Sequence, residues 1–285
     1  MGSEELNRKG VRRGRVRVAD SRMTENDMAG APHPPLTEYY AREEDRRGWL
    51  RRAFDSTAPD YDRMERMSAL GSGSSYRRSA LLRAGLRPGM RVLDVGAGTG
   101  LLAAQAARIV ADPAQVTGVD PSPGMLQNAR VPAGVRLLEG SAEQLPFPES
   151  SFDFLSMGYA LRHVSDLEGA FRNFFAVLKP GGRLCVLEIT RPESRLVATL
   201  LKVYLGRIVP LLARIVARQA DTPRMWKYHW DTIEACVPPS RVLSTIEDAG
   251  FINVRRALCL GIFSEYFAEK PCIGPPSPPD ARRRT

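Results

Sequence analysis

The stretch LDVGAGTGLL, residues 93–102, sets three glycines, Gly96, Gly98 and Gly100, at alternate positions behind an acidic residue, Asp94. Before it, RVLDVG (91–96) is a short apolar run of strand type. After it, LLAAQAARIV (101–110) is built from strong helix formers. A strand that turns through glycines into a helix lets a ligand approach the main chain and offers it unpaired N–H groups. The spacing therefore predicts a ligand cradle made largely of backbone.

Working outward, the same texture repeats. QVTGVD (115–120) reads as a strand ending at Asp120, and SPGMLQNAR (122–130) as a short helix. VRLLEG (135–140) and SFDFLSMGYA (151–160) are two more strands. DLEGAFRNFFAVL (166–178) is a helix that stops at KPGG, and RLCVLEI (183–189) is the fifth strand. Strand–helix alternation of this kind implies an α/β fold: a doubly wound, mostly parallel sheet covered by helices on both faces. With INVRRALCL (252–260) and IFSEYF (262–267) as a closing pair, the sheet has seven strands.

The alternation breaks after Ile189. Residues 192–218 form a long amphipathic stretch, followed by helices in 223–236 and 239–250, so a helical insertion over about 192–235 follows the fifth strand. On the N-terminal side, Thr37 to about Phe54 is helical, with Tyr39, Tyr40, Trp49 and Leu50 as packing residues. APDYDRMERM (58–67) follows it, and a second helix spans Tyr76–Ala84, giving an N-terminal helical lid. Residues 1–35 are expected to be a disordered basic extension, 36–270 the folded domain, and 271–285 a disordered Pro/Arg-rich tail.

Composition bounds the rest. The chain has 285 residues, 43% of them hydrophobic, enough for one α/β domain. No run of 18 apolar residues predicts a membrane span, and nothing at the N-terminus reads as a secretory signal. Cys185, Cys236, Cys259 and Cys272 are scattered, which suits a reduced, cytoplasmic protein. The histidines are His33, His163 and His229, with no zinc-type spacing, so no metal is expected. The net charge of +9 resides partly in the termini and comes with no nucleic-acid motif, so a nucleic-acid partner is not expected.

The turn also selects its ligand. A dinucleotide fold asks for G-x-G-x-x-G, whereas this sequence is G-x-G-x-G and puts Leu101 at the dinucleotide position. Asp94 would repel a pyrophosphate but suits a cationic amino-acid moiety. Asp120, twenty residues beyond Gly100, is placed to accept hydrogen bonds from two ribose hydroxyls. S-adenosylmethionine, with an ammonium, a sulfonium and a ribose but no phosphate, fits these demands.

RVLDVGAGTG (91–100), GVDPSPGML (118–126), GSAEQLPFPESSFDF (140–154) and AVLKPGGRL (176–184) resemble the successive motifs of class I S-adenosylmethionine-dependent methyltransferases. AFDSTAPDYD (53–62), YALRHVSD (159–166) and LEITRP (187–192) resemble the UbiE-like C-methyltransferases of ubiquinone and menaquinone biosynthesis. The resemblance implies a Rossmann-like methyltransferase fold acting on a phenolic or quinol ring. It implies that Asp94, Gly96, Gly98 and Gly100 line the methionine moiety, that Asp120 takes the ribose, and that Met125 packs on the adenine. Ser141 and Ala142 stand where that class contacts the adenine edge, and Ser141 replaces a frequent Asp.

It further implies roles for Tyr61, Arg162 and His163 near the substrate, His163 standing where the family usually has Asn. Histidine there is a candidate general base, with a packed loop histidine as the alternative. Arg162 either stabilises a phenolate or pairs with a surface carboxylate. Other readings stay open: O- or N-methylation of another small molecule, or a non-catalytic S-adenosylmethionine binder. The basic amphipathic stretch 194–218 reads first as a lid burying its apolar side on the sheet, and second as a peripheral membrane contact. Trp226 and Trp230, four apart, read as core. A homodimer is compatible with the sequence.

Overall fold

A computed structural model describes residues 30–272. Seven strands form one sheet in the order β3-β2-β1-β4-β5-β7-β6. These are β1 (Val92–Val95), β2 (Val116–Asp120), β3 (Arg136–Glu139), β4 (Phe152–Gly158), β5 (Leu178–Ile189), β6 (Ile252–Cys259) and β7 (Phe263–Glu269). The first five are mutually parallel. β7 runs antiparallel to both of its neighbours, β5 and β6. All residues of β1 and β2 are buried, which is why their sequences are continuous apolar runs rather than alternating ones.

One face of the sheet packs Leu93, Leu155 and Val186 against Phe171 and Phe174 of α5 (Leu167–Val177) and Val242 and Ile246 of α9 (Pro239–Asp248). The other packs Val92, Phe154 and Leu187 against Leu81 of α2 (Gly73–Arg83) and Ala103, Ala106 and Ala107 of α3 (Leu101–Val110). Chain order reverses at β1, whose neighbours are β2 and β4. That reversal opens a crevice at the carboxyl ends of these strands, where ligands of such sheets bind.

Three expectations change. The first helix, α1, spans Glu43–Ser68 and passes through Pro59, whereas the sequence places a helix from Thr37 to about Phe54. Carboxylates on both sides of the proline hold it. Asp55 accepts from Ser122 Oγ at 2.6 Å and Gly124 N at 2.8 Å. Asp60 accepts from Arg218 N at 2.7 Å and Gln219 N at 2.8 Å, and Asp62 from Thr99 Oγ1 at 2.5 Å. Tertiary bonds thus offset the one intrahelical bond that proline removes.

Second, the boundary drawn at residue 35 falls inside packed chain. Gly30 O accepts from Leu167 N, Pro32 O from Val237 N, and His33 is fully buried with Nε2 2.9 Å from Arg46 Nη2. The expectations for residues 1–29 and 273–285 lie outside the described residues.

Third, the insertion buries its apolar side mainly on other helices and meets the sheet only at Ile189, the end of β5. α6 (Arg195–Val203) and α7 (Val209–Val216) join through a π-helical turn, Tyr204–Ile208, into one continuous helix, Arg195–Val216. By length and composition this helix could cross a membrane, yet it carries Arg195, Lys202, Arg207 and Arg214. Its inner side, Leu201, Val209 and Ala213, packs on Met64 of α1 and on Trp230 and Ile233 of α8 (Thr222–Ala235). Its outer side leaves Leu196, Leu200, Leu211 and Ile215 exposed.

Candidate active site

Two cavities meet at the carboxyl edge of the sheet. The first, about 350 Å³, is lined by Gly96, Ala97, Gly98 and Thr99 of the glycine turn, and by Asp120, Ser122 and Met125 of the next strand–helix junction. Ser141, Ala142, Tyr159 and His163 complete its sheet side, and Leu50, Phe54 and Tyr61 of α1 close it from above. The second, about 470 Å³, is mainly apolar. Ile189, Leu201, Leu205, Trp226, Trp230, Ile233 and Phe263 line it, with Glu65, Arg162 and His229 as polar members. Tyr61, Arg77 and Tyr159 belong to both linings and form the junction.

The glycine turn takes its shape from residues without side chains. Gly96 has φ +68°, and a Cβ there would stand 2.5 Å from Ala160 Cβ; Gly100 has φ +82°, and a Cβ would stand 2.3 Å from Val131 Cγ1. Asp120 braces the turn, accepting from Gly98 N at 2.8 Å and from Ser122 N at 2.9 Å through its two oxygens. α4 (Pro123–Gln127) presents Met125 to the cavity, its start capped by Ser122 Oγ accepting from Met125 N at 3.1 Å.

The expected site residues divide. Gly96, Gly98, Asp120, Met125, Ser141, Ala142, Tyr61 and His163 line the first cavity. Asp94 and Gly100 do not. Gly100 serves as the left-handed start of α3, and Asp94 lies beneath the floor, 1% exposed. One Asp94 oxygen accepts from Ser156 Oγ at 2.7 Å and the other has no partner. Arg162 lines the second cavity, and its carboxylate partner is buried rather than at the surface. Its Nη1 lies 2.5 Å from Glu188 Oε1 and donates to Tyr159 O at 2.8 Å, and Nη2 lies 2.8 Å from His229 Nδ1.

Sequence reasoning missed Asp55, Asp62, Arg77 and His229. Glu65 and Arg77 pair at 2.6 Å, and the Arg77 guanidinium lies 5.6 Å from the Tyr159 ring centre. Tyr159 itself has φ +58°, a strained main-chain conformation for a tyrosine, directly after β4. Trp230 is buried as expected, but both it and Trp226 border the second cavity. Among the described residues no His/Cys/Asp/Glu group is placed to hold a metal ion.

Burial sets the protonation of the site. It pushes the Asp94 carboxyl up to about 7 and Asp120 to about 6, although hydrogen bonds to each pull the other way. Burial raises the Tyr61 hydroxyl to about 12. Burial, then Arg162, holds His163 and His229 well below the ordinary histidine value, so both rings are neutral. Raised carboxylates stabilise the fold below about pH 4 and lose that contribution as pH rises to about 7. The lowered histidines act oppositely, contributing above about 6.5 and losing it on acidification. Asp94→Asn removes one raised carboxylate. Without ligand, it is therefore expected to unfold at a higher temperature than the unsubstituted protein at pH 8 but not at pH 4, by calorimetry. An equal difference at both pH values would refute the assignment.

A seven-stranded sheet with its last strand antiparallel between the fifth and sixth, and a glycine turn opening beside an acidic strand end, defines a class I methyltransferase. The ubiE/COQ5 methyltransferase family matches residues 41–270, and the chain belongs to that family. It is 33% identical over 208 residues to the ubiquinone/menaquinone biosynthesis C-methyltransferase UbiE of Shewanella halifaxensis, covering 70% of this chain and 82% of that one. It is 35% identical over 205 residues to UbiE of Vibrio cholerae, covering 70% and 78%. Among solved structures, a SAM-dependent methyltransferase from Thermotoga maritima matches with TM-score 0.55 and 23% identity, covering 78% of this chain and 99% of that one. Another from Aquifex aeolicus matches with TM-score 0.52 and 18% identity, covering 73% and 97%. These structural likenesses speak for the fold.

Proposed function

We propose that the protein transfers a methyl group from S-adenosylmethionine to a ring carbon of a quinol or related phenol that carries an apolar tail. The observation that carries this reading is the pair of cavities. A polar-edged one lies over the glycine turn and an apolar one beside it, and they meet at Tyr61, Arg77 and Tyr159. The first offers Asp120 to a ribose, Met125 to an adenine face, and Ser141 and Ala142 to its edge. The unpartnered Asp94 oxygen puts a carboxylate under the place of a cationic amino-acid end. Asp94 acts there through the floor by charge rather than by contact.

When bound, S-adenosylmethionine supplies an activated methyl: the ring carbon–methyl bond forms as the methyl–sulfur bond breaks, leaving a thioether, and one proton leaves the substrate overall. The protein's part is alignment and exclusion of water. Tyr61 covers the junction from α1, Phe54 covers the first cavity beside it, and the apolar lining of the second holds the tail. Arg162, fixed by Glu188, brings positive charge to the wall where a phenolate would form. We assign His163 a packing role against Tyr228, at 5.6 Å between ring centres, with both of its ring nitrogens buried and without a partner among the described residues. As a base it would have to hold a proton beside Arg162 in a buried place, which burial and that charge both oppose.

Calorimetry with S-adenosylmethionine and NAD, followed by product mass spectrometry with a prenylated naphthoquinol, tests the reading. Donor binding with a carbon-methylated product is expected. Binding of NAD alone, or no S-adenosylhomocysteine from quinols and phenols, would refute it.

We further infer that the enzyme works in the cytoplasm and meets its substrate at an anionic membrane surface through the outer side of Arg195–Val216. Exposed Leu196, Leu200, Leu211 and Ile215 share that helix with Arg195, Arg207 and Arg214, none of which pairs with a carboxylate among the described residues. Leu201 and Leu205, on the same helix, line the apolar cavity. Vesicles rich in phosphatidylglycerol should sediment with the protein at low salt, and Leu200→Glu with Leu211→Glu should weaken this about tenfold or more. Unchanged sedimentation would refute the contact. A dimer disrupted by the same pair would assign the face to a second copy instead.

A further inference from the structure

His229 has a feature that the proposed reaction does not yet use. Its Nδ1 lies 2.8 Å from Arg162 Nη2. A guanidinium carries donors only, so Nδ1 must be the acceptor and hold no proton. The ring is neutral, because burial and Arg162 oppose its charging. The single ring proton therefore sits on Nε2. That atom is buried and has no partner among the described residues, which is costly for a donor. The ring borders the apolar cavity, 6.2 Å from the Tyr61 ring and 5.1 Å from the Trp226 ring between centres.

We propose that His229 Nε2–H donates a hydrogen bond to a ring oxygen of the substrate, holding the quinol with its methyl-accepting carbon turned toward the donor cavity. The proposal rests on the quinol reading above and adds the residue that recognises the substrate's oxygen. Arg162 acts behind it. By donating to Nδ1 the guanidinium fixes the tautomer, and its charge, one ring away, strengthens the Nε2–H bond as the oxygen becomes anionic. Glu188 and Tyr159 O in turn fix the guanidinium. Thr232 Oγ1, 3.2 Å from Arg162 Nε, completes its setting on the same helix as His229. The cavity thus presents one directed donor in a mostly apolar wall, the arrangement by which ligand sites fix orientation.

His33 supplies an internal contrast. Its Nε2 faces Arg46 Nη2 at 2.9 Å and its Nδ1 faces Pro34 O at 2.8 Å, which requires the opposite tautomer, with the proton on Nδ1. The chain has three histidines, so nitrogen-15 NMR of histidine-labelled protein can separate them, with His229→Gln and His33→Gln as assignments. One Nε2–H ring that disappears in His229→Gln, and shifts when 2-geranyl-1,4-naphthoquinol is added under reduction, is expected. A cationic ring, or an Nδ1–H ring, at position 229 near pH 7 overturns the proposal.

Kinetics give the second arm. Glutamine can place an amide donor near the Nε2 position, whereas leucine removes it. With the same quinol, His229→Leu is expected to lower kcat/KM about 100-fold and His229→Gln by about tenfold or less, since one oxyanion donor is worth about that much. Calorimetric affinity for S-adenosylmethionine should stay within about twofold in both, which also shows that the variants fold. Full turnover by His229→Leu overturns the inference alone. Absence of turnover by the unsubstituted enzyme, with donor still bound, overturns the quinol reading instead.

Discussion

Asp120→Ala should weaken S-adenosylmethionine binding about 100-fold or more by calorimetry while leaving the fold intact. The side chain has two linked tasks. Its oxygens accept from Gly98 N and Ser122 N, fixing the glycine turn and the start of α4, and under the proposed function their remaining lone pairs accept from the ribose hydroxyls. Hydrogen bonds to a charged group contribute about 1.5–3 kcal/mol each, so losing two reaches that factor. Asp120→Asn should recover little, because its amide nitrogen would confront one of the two backbone N–H groups. An alanine variant that binds the donor within about threefold of the unsubstituted protein would remove Asp120 from the donor site.

Arg162→Met should cost about 3–5 kcal/mol of folding stability in urea denaturation, the usual consequence of stranding a buried charge. Arg162 is 3% exposed and Glu188 is 2% exposed, and no other basic side chain reaches Glu188 among the described residues. The double variant Arg162→Met with Glu188→Met should recover much of that loss, since two apolar side chains replace the pair. It should remain inactive with quinols, since His229 would lose the partner that sets its tautomer. If the double variant were as unstable as the single one, the loss would stem from packing or from the bonds to Tyr159 O and Thr232, not from a stranded carboxylate.

The glycine turn, Asp120, the βα rhythm and the closing strand pair could all be read in the sequence because each depends on local spacing. Residues 93–120 show this best: periodicity placed β1, α3 and β2 within a residue or two of their observed ends. What escaped depends on partners far along the chain. Asp55 holds α4 from 67 residues away, and Asp60 holds the segment before α8 from about 160. Without those partners in view, the helical pattern reads as ending near Phe54. His229 was hidden for a similar reason. It sits in an aromatic-rich helix whose composition says core, and only the Arg162 contact gives its nitrogens separate roles. Asp94 was read as lining the turn, and it lies buried beneath the cavity floor instead. Sequence spacing cannot distinguish a residue that lines a floor from one that lies beneath it.

The placement of β7 has a consequence for biosynthesis. The last strand to be made lies inside the sheet, between β5 and β6, and every residue from Arg183 to Ile189 pairs with it. A growing chain that has passed Ile189 therefore carries the naked edge of an apolar strand until about 80 further residues have emerged. Such an edge is a template for pairing with another chain. Shortened forms ending before Phe263 should accordingly collect as insoluble material rather than behave as smaller, donor-binding domains.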